Sequence, residues 1–181
     1  MEMPATKAAL MEAAVSKYWK LTEQLRKLSE VEILLLFDFS DKEKPLSSLE
    51  SRCRNVADLL SALYKPQQRI LSLKKACPDF LPALCTQENP SAALEEPCPQ
   101  DMQTVRNRLE QSHRSMIELI AGIAEEDLFH REPSPGDILS HVTCVPYHQA
   151  AKIIKAHRKK QRKKLLEAGA AEQNPSVSET H

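Results

Sequence analysis

The stretch Gly136-Asp137-Ile138-Leu139-Ser140-His141-Val142-Thr143-Cys144-Val145-Pro146-Tyr147-His148-Gln149-Ala150-Ala151-Lys152-Ile153-Ile154-Lys155-Ala156-His157-Arg158-Lys159-Lys160 decides how this chain folds. It follows the punctuating run Pro133-Ser134-Pro135-Gly136, opens with a helix start, and carries an amphipathic pattern into a dense basic ending. The spacing predicts a helix from Asp137 to about Leu166. Pro146 should kink it, because proline lacks a backbone donor and its ring crowds the carbonyl one turn earlier.

Three more segments of similar length share the helical period. From Thr6, a candidate cap, to Leu28, the residues Leu10, Ala14, Tyr18, Leu21, Leu25 and Leu28 form one stripe. From Arg52 to Ala76, Val56, Leu59, Leu60, Leu63, Ile70 and Leu73 do the same, with Pro66 as a second kink. From Gln100 to Ala124 the inward set is Met102, Val105, Leu109, Met116, Ile120 and Ile123. Short acidic-apolar turns are expected at residues 29–36 and 125–128, a polar loop over 38–51, and a proline-rich irregular connection over 77–99. Four amphipathic segments imply an all-α four-helix bundle over residues 1–166, with kinked second and fourth helices. The small, polar residues 167–181 read as a disordered tail.

Composition agrees. Three glycines in 181 residues leave little room for turns, and no β-branched alternation competes with helix. Twenty-five basic and 25 acidic residues cancel, so any attraction to nucleic acid must come from local clustering. The five cysteines are irregularly spaced and the longest apolar run is too short for a bilayer, which points to a cytoplasmic setting with free thiols and no membrane partner.

Several motifs resemble one family. The opening Met3-Pro4-Ala5-Thr6-Lys7-Ala8-Ala9-Leu10, the run Arg54-Asn55-Val56-Ala57-Asp58-Leu59-Leu60-Ser61-Ala62-Leu63-Tyr64, and residues 136–157 with Thr143, Pro146, Tyr147 and Ala150 are similar to ClbS/DfsB family four-helix bundles of the DinB-like superfamily. The resemblance spans nearly the whole chain in order. It implies a self-resistance role, binding and, on the hydrolase branch, detoxifying a small electrophile by opening a cyclopropane; DNA association also goes with the family. Where that branch has a functional tyrosine this chain has Ala62, and where the family has tryptophan and histidine it has Pro66 and Gln67. The alternative is therefore a non-catalytic binding or scaffold bundle, monomeric or homodimeric.

Candidate chemistry gathers at the mouth between the second and fourth helices. Tyr64, Asp58, Tyr147 and His148 are the groups available for general acid–base work if the chain is a hydrolase. His141, Cys144 and His148, at i, i+3 and i+7, line one helical face with zinc-ligand chemistry, and His113 could add a fourth donor. The plainer reading of these side chains is a set of buried, hydrogen-bonded polar groups, with no cofactor. Arg158, Lys159, Lys160, Arg162, Lys163 and Lys164 form a basic run that reads either as a solvated helix end or as a grip on a nucleic-acid backbone.

Overall fold

The computed structural model describes residues 4–86, 101–130 and 132–172, and among them every regular element is a helix. Four long helices form the bundle: α1 (Lys7–Arg26), α4 (Val56–Ala76), α6 (Met102–Gly122) and α9 (Cys144–Glu172). The short helices α2 (Glu30–Leu34), α3 (Ser48–Arg52), α5 (Phe80–Thr86), α7 (Glu125–Phe129) and α8 (Pro135–Val142) close the ends. α1 packs chiefly on α9 and α4 on α6, with α1–α6 and α4–α9 contacts completing the ring.

Local chemistry sets the helix starts. Thr6, Asn55, Asp101 and Ser134 each accept a bond from a backbone N–H of the first turn, satisfying donors that no intrahelical carbonyl reaches. Ser29 with Glu32 and Ser47 with Glu50 form reciprocal capping boxes that start α2 and α3.

Three expectations are corrected. The fourth helix is not one kinked rod: it breaks at Thr143 into α8 and α9. Pro146 then sits in the first turn of α9, where a missing N–H deprives no carbonyl inside the new helix. The irregular connection contains α5, whose Leu84 and Phe80 are buried in the core; residues 87–99 of that connection lie outside the described residues. The polar loop contains α3. In addition, α9 continues to Glu172, past the expected boundary at Leu166, and 173–181 lie outside the described residues.

The core has two apolar lobes along the bundle axis. One holds Leu21 and Leu25 of α1, Leu60 of α4, Leu109 of α6 and Ile154 of α9. The other holds Leu10 and Ala14 of α1, Ile70 of α4, Met116 and Ile120 of α6 and Leu139 of α8. Between them each long helix contributes a polar or aromatic residue at matching height: Tyr18, Gln67, His113 and Tyr147. Gly136 fits against Phe129, whose ring lies 2.4 Å from where a Cβ would stand, so α8 can approach α7 closely only without a side chain there.

Candidate groove beside a polar layer

The polar layer is a product of the break at Thr143. Because Pro146 cannot donate, the carbonyl of Val142 has no i+4 partner inside the helix. Gln67, fully buried on α4, donates its amide Nε2 to that carbonyl at 3.0 Å and to the Tyr147 hydroxyl at 2.8 Å. A carbonyl can only accept, which fixes the amide orientation. The Tyr147 hydroxyl also shares a hydrogen bond with His113 Nδ1, 3.2 Å away, whose direction follows the imidazole tautomer. Tyr18 stacks on His113 with ring centroids 3.8 Å apart and an 11° tilt.

Burial tunes every member. It lowers the His113 pKa to about 4, raises that of Tyr18 to about 12, aided by the Glu110 carboxylate, and holds the Tyr147 phenol well above its ordinary value. At neutral pH the layer carries no charge. Tyr64, one turn before Gln67, is also buried, and its hydroxyl has no hydrogen-bond partner among the described residues.

A cleft of about 210 Å³ between α1 and α6 reaches the edge of the layer at Tyr18, and further accessible space lies along the outer side of α9. A cavity of about 430 Å³ lies between α9 and residues 37–50, with Phe37, Phe39, Ile153 and Ala156 as apolar walls. A smaller one of about 220 Å³ lies among α3, α4 and the α8–α9 break, lined by Arg52, Ala62, Pro66, His141 and Pro146. Gln149 lines both, so the two adjoin at that side chain and are together called the groove below. The small cavity opens at the mouth between α4 and α9 and is bordered by Ala62, whose methyl group leaves room there.

Residues 37–42 are strapped to α9. Lys160 Nζ contacts the Asp41 carboxylate at 2.7 Å and the Asp38 carboxylate at 3.1 Å, and Lys164 Nζ reaches Asp38 at 3.1 Å. Bonds from Ser40, then from the two lysines, hold the Asp38 carboxyl well below its ordinary pKa, and the Lys160 bond lowers that of Asp41. Phe37 meets His157 edge-on at 5.0 Å, and its N–H donates to the Arg54 carbonyl at 2.7 Å.

Of the acid–base candidates, Tyr64 and Tyr147 are sealed in the core. Asp58 sits at the start of α4, where it accepts from the Arg54 backbone and side chain at 3.1 and 3.2 Å. His148 is partly buried toward α1; desolvation, then Lys152, Lys17 and Lys20, lower its pKa. None of the four lines either cavity of the groove. The zinc candidates are not gathered. The break at Thr143 puts His141 on α8, exposed, with Nδ1 donating to the Asp137 carbonyl, while the Cys144 thiol is buried against the Leu10 carbonyl at 3.8 Å. Among the described residues no three His, Cys, Asp or Glu side chains come together as a metal-holding group. In the basic run, Lys160 and Lys164 are committed to the strap and Lys163 pairs with Glu167 at 3.7 Å.

Sequence reasoning missed Gln67, treated only as a departure, and the groove-forming residues 37–50. Both left signals. A proline in a buried helix start implies an orphan carbonyl needing a donor, and Ser47-Ser48-Leu49-Glu50 is a capping-box pattern that announces α3.

No family model matches the chain, and no curated protein does. Solved structures do. The colibactin self-resistance protein ClbS, crystallised in complex with double-stranded DNA, is 16% identical over 87% of this chain and 98% of its own, with a TM-score of 0.60. An uncharacterised Escherichia coli protein is 16% identical over 88% of this chain and 96% of its own, at 0.61. The sibling lethal factor precursor DfsB is 15% identical over 88% of this chain and 98% of its own, at 0.59. No helix among the described residues is long and apolar enough to cross a membrane. At such identities the likeness is one of fold: the chain folds as a four-helix bundle similar to those of ClbS and DfsB, as its motifs led us to expect.

Proposed function

We propose that this protein binds a small organic molecule in the groove along α9, and that it holds its ligand rather than turning it over. The observation that carries this reading is the cavity of about 430 Å³, within the range of small-molecule sites, with two phenylalanines and aliphatic side chains for walls. Against turnover stands the placement of the acid–base candidates: the two tyrosines are enclosed, and the Asp58 carboxylate is engaged by the Arg54 backbone and side chain. The self-resistance role of ClbS supports a harmful small molecule as the natural ligand, bound and kept from its target, and the resemblance read in the sequence implies a reactive electrophile.

The test uses a neutral fluorescent probe, N-phenylnaphthylamine. Wild-type protein should give saturable, single-site enhancement, and Ala156→Trp, which fills the groove, should lose it without a change in thermal unfolding. Saturable binding left intact in Ala156→Trp would put the site elsewhere. In parallel, ring opening of a cyclopropane electrophile, followed by mass spectrometry, should proceed at the buffer rate. Multiple turnovers per protein would make the chain a hydrolase instead.

A second reading, contact with nucleic acid, is favoured by one face of α9. Lys155, Lys159 and Arg162 fall at i, i+4 and i+7, are exposed, and have no carboxylate partner among the described residues. Such a row suits a phosphate backbone, and ClbS was crystallised with DNA. Fluorescence anisotropy with a labelled duplex should show binding that weakens steeply with salt and is lost on charge reversal of the three residues. Equal affinity in the reversed variant would end this reading.

A further inference from the structure

The charges that line the groove do not cancel locally. Its three carboxylates each have a lysine: Asp38 and Asp41 share Lys160, and Glu50 is held by Lys42. Two cations on the same lining have no such partner among the described residues. Arg52, on α3, uses Nε to donate to the Ser48 carbonyl at 3.1 Å, leaving the terminal nitrogens of an exposed guanidinium over the small cavity. Lys152 is exposed one helical turn beyond Gln149, where the two cavities meet. The uncompensated charge is therefore positive and lies toward one end. The other end is apolar: Phe37 and Phe39 are in ring contact, with centroids 5.8 Å apart, facing Ile153 and Ala156.

From this polarity we infer that the groove takes an elongated apolar or aromatic molecule bearing one acidic head, a carboxylate or a phosphate. The head lies between Arg52 and Gln149 with Lys152 across the junction, and the body lies between the two phenylalanines and α9. A guanidinium with two free terminal nitrogens matches the paired oxygens of either acid, and the Gln149 amide adds a neutral donor. An apolar body alone would leave both cations facing nothing. A cationic head would meet Arg52 and Lys152, while every carboxylate that could attract it is already engaged. Ala62 contributes by omission, since a larger side chain would occupy the space beside the head.

The inference rests on the groove being a ligand site, and the experiment separates the two claims. Binding of biphenyl carboxylate, biphenyl phosphate and the neutral biphenyl carboxamide is measured by titration calorimetry on the full chain. The acids should bind roughly tenfold or more tightly than the amide, the size of one charge-assisted hydrogen bond. Arg52→Met should weaken the acids far more than the amide and so erase that preference, Lys152→Met should reduce it in part, and Ala156→Trp should abolish binding of all three. The tighter acid identifies the head group. Equal binding of acids and amide to the wild type overturns the acidic head but leaves the site. An acid preference untouched by both Arg52→Met and Lys152→Met overturns the assignment of these cations. No binding of any probe overturns the site itself. Unchanged thermal unfolding of each variant shows that lost affinity is not lost fold.

Discussion

His113 shows at the scale of one residue how the interior sets a measurable property. Its ring is stacked on Tyr18 and faces the Tyr147 hydroxyl, both uncharged, so nothing nearby stabilises an imidazolium. The folded pKa is lowered from 6.5 to about 4 by burial. Between these values the unfolded chain binds a proton that the folded chain refuses, so stability, complete above the unfolded pKa, falls as pH drops through this window. Urea unfolding at about pH 7.5 and about pH 4.5 should show the wild type losing roughly 2 kcal/mol more than His113→Phe, which keeps a stacked ring but cannot titrate. Equal losses would mean that His113 does not report its burial. The Asp38 and Asp41 carboxyls, whose pKa values are lowered, lose their contribution at lower pH and do so in both proteins. Gly136 makes a second residue-scale prediction: Gly136→Ala should destabilise by about 1–3 kcal/mol, read as a fall in urea midpoint, because the new methyl meets the Phe129 ring.

At the scale of elements, the strap over α9 depends on charge rather than on hydrogen-bonded secondary structure. Lys160 touches the Asp38 carbonyl, the Ser40 hydroxyl and two carboxylates, and so ties residues 38–41 to one side chain. Lys160→Met should speed amide exchange across 37–42 while α4 and α6 keep their protection, and high salt should do the same to the wild type. Unchanged exchange would show that the Phe37 and Phe39 contacts hold the strap alone. This element also marks where sequence reading ended. The four long helices were legible because an apolar period is a local property; the cap at Thr6 agrees with it, whereas the second helix, read from Arg52, starts at Val56 behind the Asn55 cap. The break at Thr143 was legible only as a kink near Pro146, since its position depends on what takes up the freed Val142 carbonyl, and that is Gln67, 75 residues away. The groove was less legible still. The mouth between the second and fourth helices was anticipated, but its larger cavity is made by a loop whose ion pairs reach α9 across more than 100 residues of chain.

The molecule as a whole is two apolar lobes joined through a layer to which all four long helices contribute. This arrangement explains why Gln67 and Tyr147 cannot be judged singly. Tyr147→Phe leaves His113 Nδ1 without its partner and deprives the Gln67 amide of an acceptor; Gln67→Leu leaves the Val142 carbonyl without its donor. Each change should cost about 1–3 kcal/mol, because removing one partner strands another in a dry interior. Together they should cost clearly less than the sum, by about 1 kcal/mol or more, since the bond between them is counted twice in the single variants. Adding His113→Phe should recover further stability, as an apolar layer has fewer stranded groups, short of the wild type by the Val142 carbonyl that Pro146 still leaves open. Urea unfolding of the full cycle measures this. Strict additivity would show that the residues share a height along the bundle without acting together, and the layer would then be an accident of four separate helices rather than what sets their register.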